Sequence, residues 1–219
     1  MENKPQTKMI KDVELGDHLC SIYKNKEEQF SAVIPFIKKG LDSHQKCIYI
    51  VDENSKEEVI AELDKGGIDS KKYIEANQFS LLTKRETYLK DGFFDPDKMI
   101  ALLKETEKNA LAEGYSGLRV TGEMTWVLEG IPGSEKLIEY EAKLNDFFPN
   151  SKSTAICQYN ENKFKPEILV EVIHTHPFLA IYGNLYENKF YYSPQLYTQG
   201  THIRLPVESY SMIRDDIIK

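Results

Sequence analysis

The fold class that this sequence predicts is α/β: a three-layer sandwich with a mostly parallel central sheet and a small C-terminal edge extension. Three observations predict it. Helix-period and strand-type segments alternate along the chain, the strand-type segments are short apolar runs, and no internal repeat or low-complexity tract interrupts them. Alternation of this kind builds parallel strands joined by crossover helices. A continuous apolar run marks a strand buried on both faces. The chain has 219 residues, 41% hydrophobic and 29% charged, enough for one large domain with its own core.

The elements follow in order. Residues 19–23 read as a first strand. Residues 27–41 read as a helix, because Phe30, Val33, Ile34, Ile37 and Leu41 share one face, with Pro35 expected to kink it. Residues 47–51 form an apolar strand, and residues 56–65 a helix ended by Gly66-Gly67. Residues 79–82 are a further strand. Asp95 caps and Pro96 opens a long helix whose inner face carries Met99, Ile100, Leu102, Leu103, Thr106 and Ala110. A strand at 117–122 comes next, then a helix running to Phe148 with Ser134 as its expected cap and Leu137, Ile138, Leu144 and Phe147 inward. A strand at 153–159, a short helix at 166–175 with Pro177 just beyond, and a strand at 178–182 complete the series. The Tyr-rich, Pro-broken stretch 184–219 reads as an edge hairpin and tail. Its aromatic residues, with Tyr182, Tyr186, Tyr191, Tyr192 and Tyr197 in the set, suit packing or an interface. The expected organisation is a tail at 1–13, a domain at 14–194, and an extension at 195–219 that packs on the domain or links it to a partner.

Composition excludes several roles. The net charge, 28 − 35 = −7, argues against nucleic acid or an anionic membrane as the main partner. No apolar run approaches the roughly 20 residues of a membrane span, and the N-terminus has no signal-peptide pattern. Cys20, Cys47 and Cys157 are too few and too odd in number for a disulfide framework, which favours a reducing cytoplasm.

Ligands of open α/β sheets bind outside the carboxyl ends of the strands, so the chemistry is sought there. His18 and Cys20 alternate on one face of the first strand, and Tyr23 closes it. They suit a ligand contact, a metal site or a redox-sensitive thiol, or else they simply pack the sheet. No glycine stands between Gly16 and Gly40, and no G-x-G-x-x-G follows a strand, so the usual phosphate cradles are missing. In Arg119–Trp126 the acidic Glu123 falls at a strand's carboxyl end. Gly122 permits close backbone approach there, and Trp126, the only tryptophan, offers a pocket wall. Cys157 ends the next long strand, and His174-Thr175-His176 ends a helix, where histidine also suits the helix dipole. No Ser-His-Asp order, H-E-x-x-H pair or G-x-S-x-G elbow occurs.

Several of these segments carry a resemblance. Gly16–Tyr23 followed by Glu27-Glu28-Gln29, the Arg119–Trp126 stretch, the Cys157–Tyr159 strand end and the His176-Pro177 step are similar to MEDS domains. These are methanogen/methylotroph sensory domains named for a dichloromethane-responsive regulator. The likeness spans about residues 14–194. It implies a RecA/KaiC-like fold whose phosphate loop has been lost, with Glu123 where such ATPases carry a metal-associated acidic strand end. It implies sensing of small organic compounds, such as simple hydrocarbon derivatives, beside histidine kinase or DNA-binding modules. Too few residues follow 194 for a kinase core and no helix-turn-helix is evident, so the expectation is a stand-alone sensor or a fragment of a longer regulator.

The expected function is thus a non-catalytic, cytoplasmic sensory domain in signal transduction or transcriptional regulation, with His18, Cys20, Tyr23, Arg119, Glu123, Trp126 and Cys157 as ligand-binding residues. No cofactor is expected. Two alternatives stand beside it: a degenerate RecA-like nucleotide hydrolase with Glu123 as base, and a metal- or redox-responsive switch drawing on His18, Cys20, Cys157 and His176. The expected partners are a small molecule, a kinase or DNA-binding regulator module in cis or trans, and a second copy of the chain.

Overall fold

The computed structural model describes residues 9–194 and 210–219. Its strands are β1 (His18–Tyr23), β2 (Lys46–Val51), β3 (Phe79–Thr83), β4 (Leu118–Glu123), β5 (Ser153–Asn160), β6 (Phe178–Ile181) and β7 (Asn184–Glu187). The helices are α1 (Lys26–Asp42), α2 (Lys56–Lys65), α3 (Ser70–Glu75), α4 (Pro96–Ala112), α5 (Leu137–Phe147), α6 (Pro166–His174) and α7 (Tyr210–Ile218). They build one sheet in the order β3-β2-β4-β5-β1-β6-β7. Every neighbouring pair is parallel except β6–β7, the antiparallel edge hairpin. Among the described residues no helix is long and apolar enough to cross a membrane.

Two cores lie on opposite faces of this sheet. Leu19, Cys47, Tyr49, Phe79 and Ile156 point to the face covered by α1 and α2, with Phe30, Val33, Val59 and Leu63 against them. Cys20, Ile48, Val120, Cys157 and Leu179 point to the other face, covered by α4, α5, α6 and α7. Side chains alternate across a strand, so strands buried on both faces read as the apolar runs seen in the sequence.

Local chemistry explains most element boundaries. Asn25 caps α1 by accepting from Glu28 N, and the helix continues through Pro35. Ser55 and Glu58 form a reciprocal capping box on α2. Asp95 accepts from Asp97 N and Lys98 N with Pro96 in the first turn, as expected. Ser134 differs from expectation. It makes no capping bond, because residues 134–136 form a separate 3-10 turn entered through Gly133 in the left-handed region. A Cβ on Gly133 would overlap Phe94 O, and that close approach sets the turn. Helix α3, not foreseen, is capped by Asp69. Ile10 and Val13, assigned to the tail from sequence, are buried in the core under α1. At the other end, within the stretch expected as a tail or packed extension, the helix α7 buries Ile213 and Ile217 on the same core as α6. Tyr197 lies outside the described residues.

Candidate functional site

The sequence predicts one rim holding His18, Glu123 and Cys157. The structure corrects this to two separate groups, one on each face of the sheet. In the parallel register Glu123 stands beside Gln158, which stands beside Ser21. His18 lies three residues back along β1, level with Ala155, and its side chain faces the other way. Period-2 alternation and strand register, neither visible in a single strand's sequence, separate them.

On the α1 face, Glu123 is fully buried. Its Oε2 accepts from the backbone N–H of Asp52, Glu53 and Asn54, and its Oε1 from Tyr49 OH at 2.7 Å and Asn54 Nδ2 at 2.7 Å. Gln29 Nε2 adds a donor that it shares with Gln158 Oε1. The carboxylate therefore ties the loop after β2 to the end of β4. Tyr23 is nearby, donating to Glu53 at 3.4 Å, and burial pushes its phenol well above the usual range. Arg119 is on this face but at the amino end of β4. It donates to Gln45 Oε1 at 2.7 Å and Val13 O at 3.1 Å and stacks over Phe36. Burial lowers its guanidinium to about 10.

The opposite face carries a denser constellation. His18 at the start of β1, Cys157 on β5, Glu141 on α5 and His176 in the turn before β6 are all buried, and one ligand atom from each lies within 4.8 Å of the others. His18 Nε2 and His176 Nε2 each lie 3.3 Å from Glu141 Oε2, and Cys157 Sγ is 3.7 Å from His18 Nε2. Tyr159 OH donates to Glu141 Oε1. Burial, with a second imidazole alongside, holds His18 below its ordinary value. Burial alone would raise the Glu141 carboxyl, but positive charge on the two facing imidazoles would outweigh it and hold it below the usual range. Cys20 neighbours Cys157 across β1–β5, and burial pushes both thiols well up. Protonated, buried thiols are poor nucleophiles.

Beside this cluster lies an aromatic box. Trp126 stacks on Tyr88 at 4.9 Å and meets Phe94 at 4.8 Å, while Tyr140 stands edge-on to Tyr88 and Phe94. Trp126 is fully buried and its indole N–H has no acceptor among the described residues. A Cβ on Gly122 would lie 2.2 Å from Tyr88 OH, so this glycine lets the phenol lie against β4. Tyr88 is also a wall of a surface cleft of about 300 Å³, shared with Phe93, Met99 and Leu102.

Of the predicted site residues, His18, Cys20, Trp126 and Cys157 are thus on one face and Tyr23, Arg119 and Glu123 on the other. Sequence reasoning missed Glu141, Asn145 and Tyr88. A signal for the first two existed: they fall on the same stripe as Leu137 and Leu144, so two polar residues occupy core positions of an amphipathic helix.

Comparison with known proteins gives three findings. The family model "MEthanogen/methylotroph, DcmR Sensory domain" (MEDS) matches residues 17–177. No curated protein matches the chain. Solved structures share the fold, two archaeal proteins among them. A KaiC-like protein from the hyperthermophilic archaeon Pyrococcus horikoshii is 14% identical with a TM-score of 0.52, over 75% of this chain and 70% of that one. The flagellar accessory protein FlaH from Methanocaldococcus jannaschii is 11% identical with a TM-score of 0.54, over 76% and 71%. At this identity the likeness is one of RecA/KaiC-like architecture.

Proposed function

The chain belongs to the MEDS family of sensory domains, and from that premise we propose that it is a non-catalytic receptor for a small organic ligand, held in the aromatic box around Trp126. The observation that carries this reading is the buried indole N–H with no acceptor, enclosed by Tyr88, Phe94 and Tyr140. An unsatisfied buried donor is costly. A small apolar molecule bearing one acceptor atom, a simple hydrocarbon derivative, satisfies it by inserting between the packed rings. Entry is by the adjoining cleft, whose wall is Tyr88.

Signalling in this reading is a population shift. The box joins two segments, because Phe94 N donates to Pro132 O and Lys84 pairs with Asp52 and Glu129. A ligand that orders the box favours one arrangement of that surface, which a histidine kinase or DNA-binding module in cis or trans reads out.

The state of Glu123 supports a non-enzymatic role. Its carboxylate is already saturated by backbone and side-chain donors, which leaves no lone pair for a magnesium ion or an attacking water.

Trp126 is the only tryptophan, so emission excited selectively at the indole, beyond the absorption of the tyrosines, reports on this site. Titration with short alcohols, amines and halogenated methanes should give a saturable change in emission for at least one compound. Calorimetry on Trp126→Phe, which keeps an aromatic ring but loses the donor, should then show affinity for that compound weaker by about tenfold, the worth of one hydrogen bond. Saturable heat with unchanged emission would move the ligand elsewhere.

A further inference from the structure

We propose that His18, Glu141, Cys157 and His176 form a closed, four-ligand site for a divalent transition metal of the zinc class. Each imidazole is fixed from its far side. Asn145 directs its amide N–H groups at Glu141 O and Thr175 O, so its Oδ1 is the acceptor facing His18 Nδ1 at 3.0 Å. His176 Nδ1 lies 2.7 Å from Val172 O, which can only accept. Both histidines are therefore locked with hydrogen on Nδ1, and their Nε2 lone pairs turn inward. Metal-ligating histidines are held in this way, by an acceptor on the outer nitrogen.

His18 Nε2 has the Cys157 sulfur as its neighbour at 3.7 Å, but the His176 lone pair meets another lone pair. Glu141 Oε2 and His176 Nε2 are buried without a hydrogen-bond partner although they stand 3.3 Å apart. Two acceptors held this close in a dry interior repel, and a buried carboxylate without a counter-charge is expensive. Protonating both imidazoles would put two positive charges in rings whose centroids are 4.2 Å apart, against a single carboxylate. One divalent cation resolves the conflict. With a Cys157 thiolate and the Glu141 carboxylate it makes a neutral set, and it gives every inward lone pair a partner.

The spacing fits. Metal–nitrogen and metal–oxygen bonds of about 2.0–2.2 Å and a metal–sulfur bond of about 2.3 Å in a tetrahedron place N/O ligand pairs about 3.3 Å apart and N/S pairs about 3.6 Å apart. The three pairs that contact directly are 3.3 Å, 3.3 Å and 3.7 Å apart, and all four ligand atoms lie within 4.8 Å of one another, so an ion draws the wider pairs in by a small side-chain adjustment. One thiolate with two imidazoles and a carboxylate suits zinc or cobalt better than calcium or magnesium. Four protein ligands leave no open position, so the ion clamps rather than catalyses. It fastens α5 and the turn before β6 to β1 and β5, beside the aromatic box but independent of any ligand there.

The test is metal analysis of the chain carrying no affinity tag, then cobalt exchange and X-ray absorption. One divalent ion per chain is expected, with a thiolate-to-cobalt charge-transfer band. That band should be lost in Cys157→Ser and kept in Cys47→Ala, whose thiol lies on the other face of the sheet. Should Cys157→Ser fail to fold, X-ray absorption on the unmodified protein decides the matter. One sulfur at about 2.3 Å with three nitrogen or oxygen neighbours supports the site. No sulfur, or more than one, overturns it. A folded protein that neither retains metal nor shows the cobalt band overturns it as well, whatever the outcome of the fluorescence titration.

Discussion

Glu123 shows how one side chain can be read in two ways. Its place at the carboxyl end of a central strand suits a metal-associated acid, yet its two oxygens are occupied by the amides of residues 52–54 and by Tyr49 and Asn54. A carboxylate used in this way is a structural strut. Glu123→Gln replaces one acceptor oxygen with a donor that faces other donors. It should lower unfolding stability by about 3 kcal/mol, the range for stranding buried hydrogen-bonding groups, as read from the urea midpoint. A variant as stable as the parent would mean that the carboxylate is held for chemistry instead. Whether such a glutamate is strut or acid was not legible in the sequence. The deciding donors come from a loop some seventy residues away in the chain.

At the scale of the element, α1 is set close to the sheet by Gly40. A Cβ there would stand 2.6 Å from Cys47 Sγ and 2.7 Å from Arg119 Cδ. Helix propensity by itself says that alanine should stabilise this position by about 1 kcal/mol. Overpacking at such distances costs about 1–3 kcal/mol, because both neighbours are themselves buried. Gly40→Ala should therefore lower the thermal midpoint, where an exposed helical glycine would raise it. Helix α1 itself was legible from its apolar spacing, and the structure adds the Asn25 cap and the acidic first turn. The depth to which it packs was not. The same holds for α5, whose period was visible while its polar residues Glu141 and Asn145 gained meaning only from His18, Thr175 and His176 across the core.

For the whole molecule, the RecA/KaiC-like architecture persists where the nucleotide chemistry of the β1–α1 turn is absent. That turn is Lys24-Asn25. Asn25 Oδ1 occupies the amide of Glu28, and Glu28 accepts from Lys24 N. Glu27 and Glu28 place negative charge in the first turn of α1, where a phosphate would have to sit on the helix dipole. Magnesium-ATP should accordingly give no saturable heat below about millimolar concentration, since the backbone cradle that such binding needs is missing. Micromolar saturation would restore the hydrolase reading. By itself, the sequence determined the layered α/β class, the strands, the Asp95 cap and the loss of the phosphate loop, because each of these depends on neighbours within a few residues. It determined too that His18, Cys157 and His176 were worth watching. Only the tertiary structure decided that Glu123 and His18 face opposite ways, that Glu141 stands between two histidines, and that Tyr88 covers Trp126. Those juxtapositions arise from strand order and register, and parallel strands joined by long crossovers leave no trace of their register in local sequence.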